Sequence, residues 1–96
     1  NKSSIKVFVS IVLEHGTDGR EAEIEDLLSM YGFRTVQKGV WESVSLKEKY
    51  LPRIKRDIDR RTDYYDKVRM YQYPVEDTLV ITTLDHKRWK RVVVKT

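Results

Sequence analysis

Residues 5–14 read Ile-Lys-Val-Phe-Val-Ser-Ile-Val-Leu-Glu. Ile5, Val7, Val9, Ile11 and Leu13 make one wholly apolar set, and Lys6, Phe8, Ser10, Val12 and Glu14 alternate with them. A period of two is that of a β-strand with one buried face. The second face is half apolar, more than a sheet usually leaves to water. The strand therefore predicts a sheet packed on one side and partly covered on the other.

Working outward, His15–Gly19 reads as a loop, and Asp18 with Glu21 forms a capping-box pattern at a helix start. Ile24, Leu27, Leu28 and Tyr31 follow the i, i+3, i+4, i+7 stripe, and Gly32 supplies a left-handed end. Arg34–Gln37 and Val40–Val44 read as two strands joined tightly around Gly39. Ser45, with Glu48 three residues on, predicts the opening of a second helix. Leu51, Ile54 and Ile58 give its apolar stripe, and Pro52 sets its regular start near Lys49. Lys67–Tyr73 alternates again, with Val68 and Met70 inward and Arg69, Tyr71 and Tyr73 on the other face, before Pro74 breaks it. Thr78–Leu84 and Arg91–Lys95 read as further strands.

The order strand, helix, strand, strand, helix, strand is the ferredoxin-like arrangement, an α+β fold with two helices on one face of an antiparallel sheet. One such domain fills residues 1–96, with additional C-terminal strands in 78–96. Phe8 and Val12 on the face without helices point to a homodimer about a two-fold axis. The last strands would lock it by pairing with a neighbour's sheet edge.

Ninety-six residues allow one core of two packed layers. No apolar run approaches the roughly 18 residues that span a bilayer, so no membrane association is expected. The absence of cysteine excludes disulfides, thiol catalysis and Cys-ligated metal, and fits a cytoplasmic protein. The net charge of +4 is unevenly spread: residues 1–48 hold 6 basic and 8 acidic side chains, residues 49–96 hold 13 and 7. Arg53, Lys55, Arg56, Arg60 and Arg61 form one basic cluster, and Lys87, Arg88, Lys90 and Arg91 a second. Clustered cations attract polyanions such as nucleic acid, or simply solvate a surface.

His15 and His86 fall in loops without the spacing of a zinc site, and no serine sits in a nucleophile elbow. Neither a Walker nor a Gly-x-Gly-x-x-Gly loop is present. Glu14 closes the first strand on the half-apolar face. It is either a solvated carboxylate or, in a two-fold dimer, half of a carboxylate pair for a divalent cation such as Mg2+.

Four blocks in order carry a family resemblance: Leu13-Glu14 with Arg20, Tyr31-Gly32, Arg34-Thr35-Val36-Gln37-Lys38-Gly39-Val40-Trp41-Glu42, and Asp66-Lys67-Val68-Arg69-Met70-Tyr71. Over residues 5–84 the chain resembles the small CRISPR-associated adaptation protein, the "Cas-two" subunit that partners the CRISPR integrase. The resemblance implies a ferredoxin-like homodimer that bridges integrase dimers and holds incoming duplex DNA by its phosphates during spacer acquisition. It also implies, for some members, a divalent-metal-dependent endoribonuclease or DNase using an Asp at the end of the first strand.

In this chain Glu14 stands at that position, so catalytic and metal roles would fall to Glu14. One extra methylene displaces the carboxylate, and a misplacement of about 1 Å can cost on the order of a hundredfold in rate. The scaffold role needs only shape and cations. Arg20 matches the family's basic residue at the first helix start, and Lys38 lies in the tight turn. Arg53, Arg60 and Arg61 join them as nucleic-acid candidates by charge alone. The virulence-associated protein D ribonucleases are similar at Tyr31-Gly32-Phe33 and Val36-Gln37, which makes a metal-dependent endoribonuclease the alternative. A generic ferredoxin-like binding module is the third reading. An RNA-recognition motif is disfavoured because its aromatic signature is absent.

Overall fold

The computed structural model describes residues 5–16, 20–74 and 78–95. Its elements are β1 (Lys6–Glu14), α1 (Glu21–Met30), β2 (Arg34–Gln37), β3 (Val40–Lys47), a 3-10 turn (Glu48–Tyr50), α2 (Leu51–Arg60), β4 (Lys67–Tyr73), β5 (Leu79–Asp85) and β6 (Arg88–Val94). The main sheet has the order β2-β3-β1-β4, with β1 antiparallel to both neighbours. This is the ferredoxin-like order, followed by a separate two-stranded sheet of β5 and β6.

The core follows the alternation read in β1. Val7, Val9, Ile11 and Leu13 pack under Ile24, Leu27 and Leu28 of α1 and Leu51, Ile54 and Ile58 of α2, with Phe33, Trp41 and Leu46 completing the cluster. Both helices thus cover one face of the sheet. The α1 end is a Schellman closure: Phe33 N–H donates to Leu28 carbonyl (3.0 Å) and Gly32 N–H to Ser29 carbonyl (3.0 Å). Gly32 sits at φ +86°, which glycine adopts without the Cβ penalty. Pro52 occupies the first turn of α2, where its missing N–H costs no helical bond.

Three expected boundaries shift. Ser45 does not open a helix; it lies within β3, which runs on to Lys47. Val7 faces Leu46 and Val9 faces Ser43, so β3 carries one extra residue there, a bulge that breaks the alternation after Val44. Glu48 N–H donates to Ile5 carbonyl (2.8 Å), and the regular helix begins at Leu51, past Lys49. At α1, Glu21 is the first helical residue and Arg20 the cap, with no side-chain capping bond; Asp18 lies outside the described residues. Finally, β6 begins at Arg88, because His86 and Lys87, both at positive φ, make a two-residue turn after Asp85.

The C-terminal hairpin flanks the face that the helices leave bare. Leu79, Val80 and Ile81 stand across a cleft from Phe8, Ser10, Tyr71 and Tyr73. Phe8 is only 3% exposed, with the Tyr73 ring centroid at 6.2 Å. The chain therefore covers part of its own second face, while Val12, Val44 and Tyr71 stay exposed.

Replacing the fully buried Ile54 by Ala is expected to cost about 2–5 kcal/mol in urea unfolding, by lost burial plus a cavity. Met30→Ala, on the same helical layer but 83% exposed, should stay within about 0.5 kcal/mol.

Candidate nucleic-acid interface

Topology decides where the candidate residues meet. β1 and β2 run one way and β3 and β4 the other, so the β1–α1 connection, the β2–β3 turn and the α2–β4 connection share one end of the sheet. Glu14, Arg20, Lys38, Arg60 and Arg61 all belong to that end. Arg53 does not: it lies towards the start of α2, lining a different cleft with Tyr31, Ser45, Lys47 and Tyr50.

Arg20, Arg60 and Arg61 line one open cleft of about 620 Å³ between the start of α1 and the end of α2. Glu23, Asp26 and Asp57 share that lining, so the cleft is mixed in charge. Arg20 Nε lies 3.7 Å from Glu23 Oε2, an exposed pair of little energetic weight. Arg61 Nη1 donates to Asp57 carbonyl (3.0 Å) and so caps the end of α2, where the helix dipole favours a cation. Tyr31 hydroxyl donates to Asp57 Oδ2 (3.0 Å), tying α1 to α2. Burial, with the Asp57 carboxylate beside it, pushes the Tyr31 phenol above its ordinary range, against the nearby Arg53 guanidinium.

The opposite side of this end is built by the hairpin. Lys90 and Asp85 line a cleft with Val36, Gln37 and Val40, so β5 runs from Phe8 towards the β2–β3 turn and brings its tip to the same end. Lys38 sits in the β2–β3 turn, which is held by Leu13 N–H donating to Gly39 carbonyl (2.7 Å), and Lys90 of the hairpin lines a cleft with the adjoining Gln37. Beneath the hairpin, half-buried Glu42 has a raised pKa from desolvation, only partly offset by Arg34.

Glu14 is exposed and stands opposite Lys67 across the β1–β4 ladder. Among the described residues no group of three or more His, Cys, Asp or Glu side chains is placed to hold a metal.

A hydrogen-bonded polar knot at this end is centred on Asp66, a residue that the sequence marks only as the first of the block Asp66–Tyr71. Its Oδ1 accepts from Gly16 N–H (2.9 Å) and its Oδ2 from Asp63 N–H (2.8 Å), joining the two connections. These bonds, Asp63 first, hold the Asp66 carboxyl below its ordinary range, helped by His15 and Arg20. Short polar loops give no periodic signal, but aspartates bracketing Tyr64-Tyr65 are their one sequence mark.

No protein-family model matches the chain, and no curated protein matches it. Among solved structures, the crystal structure of a hypothetical protein TT1823 from Thermus thermophilus is similar. Its TM-score is 0.66 at 26% identity, over 82% of this chain and 93% of that one. The likeness supports the α+β architecture across nearly the whole of that protein. Among the described residues no helix is long and apolar enough to cross a membrane.

Asp66→Asn should test the knot. A carboxylate with a lowered folded pKa stabilises fully above its unfolded value, about 3.9, and loses that contribution as pH falls through the folded value. The wild type should therefore exceed the variant in urea midpoint at about pH 6, and the gap should close below about pH 4. A gap independent of pH would show that the charge contributes nothing.

Proposed function

We propose that the chain is a nucleic-acid-binding subunit of the CRISPR adaptation machinery, a homodimer that holds duplex DNA by its phosphates and scaffolds the integrase. The observation that carries this reading is the gathering of Arg20, Arg60 and Arg61 in one cleft, with Lys38 in the turn at the same end of the sheet and Lys90 of the hairpin beside Gln37. Arginine forks and helix N–H groups suit phosphate, and such contacts position a duplex without reading its sequence. The exposed Val12, Val44 and Tyr71 on the face without helices, continuous with the hairpin, supply the apolar surface for the second copy. The ferredoxin-like order agrees with what the four sequence blocks imply.

In this reading Glu14 is not a catalytic residue, and DNA binding needs no metal. Two protomers offering three arginines each would neutralise about six phosphates, so affinity should fall on the order of 10³-fold between about 50 and 200 mM salt. Arg60→Ala should flatten the log–log salt slope by about one for each phosphate contact removed. Salt-independent binding, or a single 11.5 kDa particle by light scattering, would overturn the reading.

Glu14→Gln, compared with wild type in Mg2+ and in chelator, addresses the alternative. Unchanged DNA binding without cleavage is expected. Mg2+-dependent RNA cleavage abolished in the variant would replace the scaffold by a metal-dependent endoribonuclease whose site is completed by the second copy.

A further inference from the structure

Tyr64 and Tyr65 stand in the α2–β4 connection, 94% and 68% exposed. Neither belongs to the core cluster, so the fold does not account for two large aromatic side chains left in water. Their rings meet edge to face, with centroids 5.6 Å apart and planes at 83°. The backbone beneath them is fixed. Tyr65 N–H donates to Asp63 Oδ1 (2.8 Å), Asp66 N–H to Asp63 carbonyl (3.1 Å), and the Asp66 carboxylate takes the Gly16 and Asp63 amides. Gly16 lies flush against Tyr65, where any Cβ would overlap the Tyr65 carbonyl and Cβ.

Cations bracket the pair. Arg60 and Arg61 precede it, Lys67 comes after it, and Arg20 is close enough to act on the Asp66 charge. Exposed aromatic faces set among cations are the recipe for binding unpaired bases, because every base has a π-face and the cations take the adjoining phosphates. A loop already ordered spends little further entropy on binding. A duplex interior offers no free base face, so the pair is redundant for phosphate-only contact.

We propose that Tyr64 and Tyr65 form a stacking platform for unpaired bases, so that the protein engages single-stranded DNA or the frayed end of a duplex at this loop. The proposal rests on the nucleic-acid-binding function and names a substrate feature that phosphate contact does not require.

The test uses the whole chain, a single-stranded oligonucleotide carrying 2-aminopurine, and a blunt duplex. The wild type should bind the single strand and change its 2-aminopurine emission. Tyr64→Ala/Tyr65→Ala should weaken single-strand binding by about 10- to 100-fold and leave blunt-duplex binding within about twofold, whereas Tyr64→Phe/Tyr65→Phe should keep both. Equal weakening on both substrates, no weakening on either, or a change of oligomeric state in the Ala variant would overturn the platform. A wild type that binds the duplex but not the single strand overturns the platform alone. A wild type that binds neither overturns the nucleic-acid reading with it.

Discussion

The structure depends on the burial of β1 from both sides. Its odd-numbered residues carry the layer under both helices, while Phe8 on the opposite side is closed off by Tyr73 and the hairpin. Its backbone is paired along both edges, to β3 and to β4. A strand enclosed in this way has one admissible register, because a slip of one residue would turn Lys6, Ser10 and Glu14 into the helix layer. That register in turn fixes where β1 stops, and hence where Glu14 and the loop to Arg20 begin.

The cationic end beyond Glu14 is a product of topology more than of local sequence. The split βαβ connection returns α2 to the level at which α1 began, so Arg60 and Arg61 arrive beside Arg20 despite their distance along the chain. Carboxylates arrive with them. Glu23, Asp26 and Asp57 moderate the local field, and Arg61 is directed by the Asp57 carbonyl. A phosphate at this cleft would meet directed donors before a high potential.

The sequence was most legible where a period persisted. The stripes of α1 and α2, the glycine closure of α1, and β4 from Lys67 to Tyr73 all stand where their periodicity places them. It was least legible where a period broke. The bulge near Val44 made Ser45 look like a cap, and β6 is exposed over almost its whole length, so Arg88, Trp89 and Lys90 gave no alternation to read. The candidate cations were visible as charges, but their partition was not. Arg53 shares a helix with Arg60 yet lies about two turns away, and Lys90 comes beside Gln37 only because β5 folds back along the sheet. The Asp66 knot had no signature in composition, since it is made from backbone donors that nearly every residue has.

Among the described residues the β5–β6 hairpin shares no ladder with the main sheet, and it turns through two non-glycine residues in the left-handed region. Its amide protons are therefore guarded only by each other and by side-chain contact with the face around Phe8. Local opening of the ribbon would bare Phe8 while leaving the ladders of the four central strands paired, so its amides are expected to exchange with solvent sooner than those of β1. The second cluster of cations, Lys87, Arg88, Lys90 and Arg91, thus rides on the ribbon that has no ladder to the central sheet among the described residues.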